Sequence, residues 1–145
     1  RHAGIAGATV IVEPGRFLAG PAGLYLAAVN AVKVSRGQRF IIVDGGMHHH
    51  LAASGNLGQV IKRDYPILAA SAMDATELSA ASVVGPLCTP LDTLARKAML
   101  PGLGDGDLIA ILQSGAYGLT AAPAGFLSPP PPAEVLVDGG VARRI

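Results

Sequence analysis

Nineteen glycines and eleven prolines interrupt this 145-residue chain so often that no apolar run grows long. Proline removes a backbone donor and glycine supplies turns, so the elements between them must be short. Seven or eight short, mostly apolar segments separated by Gly/Pro turns describe a mainly β fold, a sandwich or barrel with minor helix. Half of the residues are hydrophobic, enough for one modest core at this length, and no internal repeat is present.

Thr9-Val10-Ile11-Val12 reads as a strand that Glu13-Pro14-Gly15-Arg16 stops at a rim. Gly20 to Val34 fits either helical or strand periodicity, with the alanine content favouring helix. Val29, Val32 and Val34, with Ser35-Arg36-Gly37 as a turn, support a strand, and Arg39 to Asp44 is a second one. His48 to Ser54 fits one or two helical turns. Pro66 to Ala70 and Glu77 to Val84 read as strands, and Pro90 to Arg96 as a helix with Leu91, Leu94 and Ala95 on one face. Asp107 to Gln113 is a further strand after a glycine turn, and Gly115 to Thr120 a small-residue helix or turn around Tyr117. Prolines 129 to 132 form an irregular connector to the last strands, Glu134 to Asp138 and Val141 to Arg144.

The charged residues nearly cancel, 11 basic against 10 acidic, without a basic stripe and with only six aromatics, which argues against nucleic acid as a partner. No apolar stretch approaches the roughly 20 residues of a membrane span, and the N-terminus lacks the order of a signal peptide. One cysteine excludes an internal disulfide and agrees with a reducing, cytoplasmic location. A soluble protein with no membrane association is expected.

The richest chemistry lies at the rim. Arg16 offers a rigid fork of donors suited to phosphate or carboxylate, and Glu13 can hold a proton on a ring nitrogen. The same residues also fit a strand ending in a surface salt bridge. Three further segments accompany them: Val43-Asp44-Gly45-Gly46-Met47, Gly85-Pro86-Leu87-Cys88-Thr89-Pro90-Leu91-Asp92, and Gly106-Asp107-Leu108-Ile109 leading to Ser114-Gly115-Ala116-Tyr117. In this order and at these separations, closing on Pro132 to Gly140, they resemble the C-terminal part of the fold-type III pyridoxal-phosphate decarboxylases, the family of diaminopimelate and ornithine decarboxylases. The Met47-His48-His49-His50 and Cys88-Thr89-Pro90-Leu91-Asp92 wording is most similar to the branch associated with exosortase and exopolysaccharide loci, which resembles the decarboxylases acting on carrier proteins.

The resemblance implies residues 1–16 as the end of a pyridoxal-phosphate-binding (β/α)8 barrel and residues 17–145 as a C-terminal β-domain. The chain starts at Arg1 without Met and is read as a fragment. By the resemblance, the Schiff-base lysine, a ring-stacking histidine and a glycine-rich phosphate loop belong to the barrel. Lys33, Lys62 and Lys97 match none of these settings. Pyridoxal phosphate supplies an electron sink for decarboxylation. The resemblance places Glu13 beside its ring nitrogen, Gly15 and Tyr117 at its phosphate, and Arg16 at the phosphate or the substrate carboxylate. It assigns Cys88 to the partner subunit's site in a homodimer, where a thiol with a reference pKa near 8.5 returns a proton to substrate. Taken alone, a lone cysteine is more often an inert buried hydrophobe, and Tyr117 more often a packed aromatic with a satisfied hydroxyl.

Two departures bear on substrate. Diaminopimelate and ornithine decarboxylases carry a carboxylate after this cysteine to hold a distal ammonium, and here it is Thr89. The arginine and tyrosine expected after Asp44-Gly45-Gly46-Met47 are replaced by His48-His49-His50 and Leu51 to Asn56. A neutral hydroxyl does not offset the desolvation of a cation, so an amino acid without a free distal ammonium is expected, with a carrier-protein-tethered one as a candidate. Asp92 either compensates by turning inward or serves as a structural cap. Of the histidines, His48 or His50 is expected in the substrate pocket. Adjacent residues point in different directions, so a shared metal is not expected. The rival readings are a non-catalytic decarboxylase-like dimerisation or regulatory protein, and an alanine-racemase-like enzyme.

Overall fold

The computed structural model describes residues 7–145. Five residues, Gly15–Ala19, form the single α-helix among them, α1, and a 3-10 turn, Gly20–Ala22, follows directly. Eight strands complete the fold: β1 Tyr25–Ser35, β2 Gln38–Val43, β3 Ile67–Ala69, β4 Ser79–Val84, β5 Thr93–Leu100, β6 Leu108–Ile111, β7 Val135–Asp138 and β8 Val141–Arg144. The first six make one sheet in the order β3-β6-β1-β2-β4-β5, and β7 and β8 pair as a separate hairpin. Outer strands β3 and β5 approach one another, so the sheet nearly closes into a barrel.

β1 is the long member because it serves two neighbours. Its first half, Tyr25 to Ala28, pairs antiparallel with β6, and its second half, from Val29, pairs with β2 across an irregularity at Val29/Ala31. Arg36 and Gly37 take positive φ (49° and 74°), the turn that a two-residue hairpin demands. β2 runs parallel to β4, so the long excursion between them, which holds the histidines, must cross one end of the barrel. Inside, Val29, Ile41, Val43, Val83, Leu94, Leu100, Ile109 and Ile111 form one core. At its edge the Arg39 guanidinium donates to the carbonyls of Ser79, Leu100 and Pro101, fastening β2 to the ends of β4 and β5.

The helix expected over Pro90 to Arg96 is corrected: Thr93–Leu100 is a strand. Register shifts opposite Ala81/Val83 and Val83/Val84 insert extra residues into β5, so Leu94 and Ala95 are both buried. Bulges of this kind erase period-2 alternation and leave an apparently helical spacing. His48 to Ser54 makes tight turns rather than helix, with the His49 and His50 amides both donating to the Gly46 carbonyl. Among the described residues Thr9 to Val12 is not a strand, because no other described segment offers it a ladder; residues 1–6 of the expected barrel end lie outside the described residues. No helix among the described residues is long and apolar enough to cross a membrane.

Candidate active site

Arg16 owes its position to two glycines. The 3-10 turn after α1 is fastened to the loop leaving β6: the Gly115 amide donates to the Gly20 carbonyl (3.0 Å) and the Ser114 amide to the Gly23 carbonyl (2.9 Å). The backbones meet so closely that a Cβ on Gly115 would lie 2.0 Å from the Ala19 carbonyl oxygen, and one on Gly23 2.6 Å from Gly115. Only glycine fits at either place. This clamp brings the Arg16 guanidinium over the Tyr117 ring, 4.7 Å from its centroid, with the Tyr65 ring at 6.0 Å. Tyr117 itself has φ +56° and is half exposed, which turns its phenol away from the core.

Beside this pair stands the histidine turn. The Tyr25 hydroxyl donates to His49 Nδ1 (3.0 Å), and His49 Nε2 donates to the Pro130 carbonyl (2.9 Å). A carbonyl can only accept, so this arrangement requires the Nε2–H tautomer. The proline-rich connector is thereby tied across the turn. His48 and His50 are fully buried, and none of their ring nitrogens has a hydrogen-bond partner. His50 lies edge-on to Tyr25 (5.9 Å) and Tyr65 (5.6 Å), and His48 lies against His49 (3.8 Å between centroids).

Burial favours the neutral forms of His50, His48 and Tyr25. It pushes His50 below its ordinary range, opposed by the Tyr117 backbone and aided by the Arg16 charge. It lowers His48 likewise, with His49 adding and Asp92 opposing. Burial also raises the Tyr25 phenol well above its usual value, with Asp44 and Asp92 contributing, so Tyr25 remains a donor.

Asp92 is buried, and both of its oxygens are committed. Oδ1 accepts from the Met47 amide (2.6 Å) and Oδ2 from the Leu87 amide (3.0 Å). A Cβ on either Gly46 or Gly85 would collide with this carboxylate at 2.2 Å, so both glycine segments are shaped around it. Asp92 is thus a structural brace between the Gly-Gly-Met loop and the Gly-Pro-Leu-Cys loop, the structural one of the two roles its sequence position left open. Cys88, carried on the braced loop, is exposed with a free thiol. Thr89 Oγ1 accepts a long hydrogen bond from the Leu91 amide (3.3 Å).

Two open clefts flank the Arg16–Tyr117 pair. One of about 480 Å³ is lined by Tyr25, His49, His50, Tyr117 and Glu134 among others. The second, about 500 Å³, is lined by Arg16, Val60, Ile61, Arg63, Tyr65 and Gln113. Glu13 is exposed one turn before Arg16, its carbonyl accepting from the Gly15 amide. Glu13, Gly15, His48, Cys88, Thr89 and Asp92 line neither cleft, so these clefts do not gather the whole expected set. Sequence reasoning named His50 as a pocket candidate but missed Tyr25 and Tyr65 beside it. The available signal was that the chain has only three tyrosines, and all of them converge here.

Residues 17–115 match the family model described as the C-terminal sheet domain of pyridoxal-dependent decarboxylases. Over 135 residues the chain is 43% identical to the L-glutamyl-[BtrI acyl-carrier protein] decarboxylase of Niallia circulans, which covers 91% of this chain and 31% of that protein. Over 114 residues it is 37% identical to a diaminopimelate decarboxylase of Helicobacter pylori (79% and 27%). The crystal structure of diaminopimelate decarboxylase from Helicobacter pylori complexed with L-lysine superposes with a TM-score of 0.76 at 34% identity, covering 94% of this chain and 32% of that one. The lysine/ornithine decarboxylase of Vibrio vulnificus complexed with cadaverine gives 0.64 at 30% identity (78% and 29%). The fold is that of a fold-type III decarboxylase sheet domain. The chain belongs to the pyridoxal-dependent decarboxylase family and spans about a third of the length of the relatives it matches.

Proposed function

We propose that this chain is the sheet domain of a pyridoxal-phosphate-dependent decarboxylase that releases carbon dioxide from an amino acid tethered to an acyl carrier protein. The observation that carries the reading is the Arg16 guanidinium held over the exposed Tyr117 ring. A guanidinium and a phenol side by side are the donor set that a phosphate dianion takes, so these residues fit the cofactor. When bound, pyridoxal phosphate supplies the electron sink. Tyr117 would donate to its phosphate, Gly15 would leave backbone room there, Arg16 would hold the phosphate or the substrate carboxylate, and Glu13 would keep a proton on the ring nitrogen.

Residues 1–16 are assigned to the cofactor-binding barrel and 17–145 to the sheet domain. The family match beginning at residue 17 supports that boundary, as do Val10, Ile11 and Val12, each at least 75% exposed without a ladder partner. The working unit is a homodimer in which the exposed Cys88 thiol returns a proton to substrate in the partner's site, with Thr89 lining the same wall and His48 shaping the pocket from behind the histidine turn. The lone cysteine and the lack of a membrane-crossing helix among the described residues support a cytoplasmic setting. A carrier-tethered amino acid is favoured over a diamine precursor because Thr89 cannot neutralise a distal ammonium, and because the 43% identical relative bears a carrier-protein substrate in its name. Identity at that level with an enzyme disfavours a purely regulatory role.

The test is carbon dioxide release by the full-length protein from L-glutamyl-carrier, diaminopimelate, ornithine, lysine and arginine. The reading predicts turnover of the carrier-bound amino acid. Strong turnover of a free diamino acid alone would overturn the substrate assignment.

A further inference from the structure

Between the histidine turn and β3 the chain displays two adjacent exposed apolar residues, the first of them the most exposed large apolar residue among those described. Val60 is 103% exposed and Ile61 77%. The loop that carries them has a fixed base. Asn56 Nδ2 donates to the Ser54 hydroxyl (2.7 Å) and to the Leu91 carbonyl (3.0 Å), Lys62 Nζ donates to Asn56 Oδ1 (2.6 Å), and the Arg63 amide donates to Gln59 Oε1 (2.7 Å). That last bond closes a tight turn whose tip is Val60-Ile61. Two β-branched residues held out in water by an anchored turn call for a partner surface.

Charge and position say what kind. Lys62 and Arg63 follow the apolar tip directly, and the one carboxylate beside them, Asp64, is already bound to the Arg96 side chain and amide. The exposed face of the loop is therefore basic around an apolar centre. Val60, Ile61 and Arg63 also line the same open cleft as Arg16 and Tyr65. The cleft thus has a candidate substrate cation within it and this loop on its rim. A substrate carried on a protein has to reach that cation while its carrier stays outside.

We propose that the Gly58–Arg63 loop is the docking surface for the carrier protein, with Val60 and Ile61 meeting an apolar patch and Lys62 and Arg63 meeting surrounding carboxylates on an acidic partner. This rests on the carrier-tethered substrate proposed above. Complementary charge of this sort raises association rates and makes affinity salt-dependent.

The experiment uses the full-length enzyme with two substrates, L-glutamyl-acyl carrier protein and the L-glutamyl thioester of pantetheine. Lys62→Glu and, to a smaller extent, Lys62→Ala, at the residue of the loop that does not line the cleft, should raise KM for the carrier-loaded substrate, the charge reversal by about tenfold or more. The same variants should leave kcat/KM for the small thioester within about twofold of wild type, and added salt should weaken only the carrier reaction. Equal losses on both substrates, with a lowered melting temperature, would mean that the loop seats against the rest of the chain and would overturn the proposal. A changed sedimentation coefficient would assign the loop to a second copy and overturn it too. If wild type turns over the thioester and the carrier form equally and the variants change neither, docking fails while the decarboxylase reading stands. If wild type releases carbon dioxide from neither substrate, the carrier-tethered reading fails and this proposal with it.

Discussion

His50 shows how much a single side chain can be asked to do by its surroundings. It is buried among Tyr25 and Tyr65, beside the Arg16 charge, and its ring is held neutral. His48 is neutral for the same leading reason, burial. Both folded pKa values lie below the ordinary value of about 6.5 that an unfolded chain would show. Above that pH the rings are neutral in both states and contribute no pH dependence. As pH falls through it, the unfolded chain takes up protons that the folded rings refuse, so stability declines until the lowered folded values are reached. The melting temperature of the full-length protein is expected to drop between pH 7.5 and 5. His50→Phe should flatten that drop by roughly a few degrees. An identical slope in the variant would show that His50 is protonated without cost in the fold.

At the scale of elements, the loops between β2 and β3 and between β4 and β5 are held in register by Asp92, whose carboxylate accepts from a backbone amide of each. Asp92→Ala removes the acceptor from the Met47 and Leu87 amides. Each unsatisfied buried donor costs about 1–3 kcal/mol, so a loss of about 2–5 kcal/mol is expected in denaturant unfolding. Asp92→Asn keeps one acceptor oxygen and should lose about half as much. Unchanged stability in both would remove the brace. The sequence pattern revealed Asp92's neighbourhood but not its role, since its segment carried a helical spacing that bulges in β5 had produced. The strands β2, β3, β4, β6, β7 and β8 were legible because Gly and Pro bound them and their apolar residues suit a pleated face, whereas the alanines of β1 suit a helix as well and the family resemblance decided for a strand there. α1 was not legible, because five residues carry too little periodicity. Nor was the meeting of Tyr25, Tyr65, Tyr117 and His50, which depends on which strands become neighbours across the barrel.

At the scale of the whole molecule, this domain presents exposed apolar surface at Val10 to Val12, Phe17 and Leu18, and along the β7–β8 hairpin, whose strand residues are all exposed. Its chemistry is divided. Arg16 and Tyr117 stand together, whereas Cys88 lies on a different loop and lines neither of their clefts. A site complete only between two copies reconciles these facts, and a mixing experiment tests it most directly. Full-length Cys88→Ala and Arg16→Ala proteins, each inactive alone, are co-expressed so that hybrid dimers form. With shared sites, half of the dimers are hybrids and each hybrid has one fully native site, so decarboxylase activity should return to about a quarter of wild type. No recovery, with hybrid dimers demonstrably present, would place Cys88 and Arg16 in the same protomer's site and contradict the account.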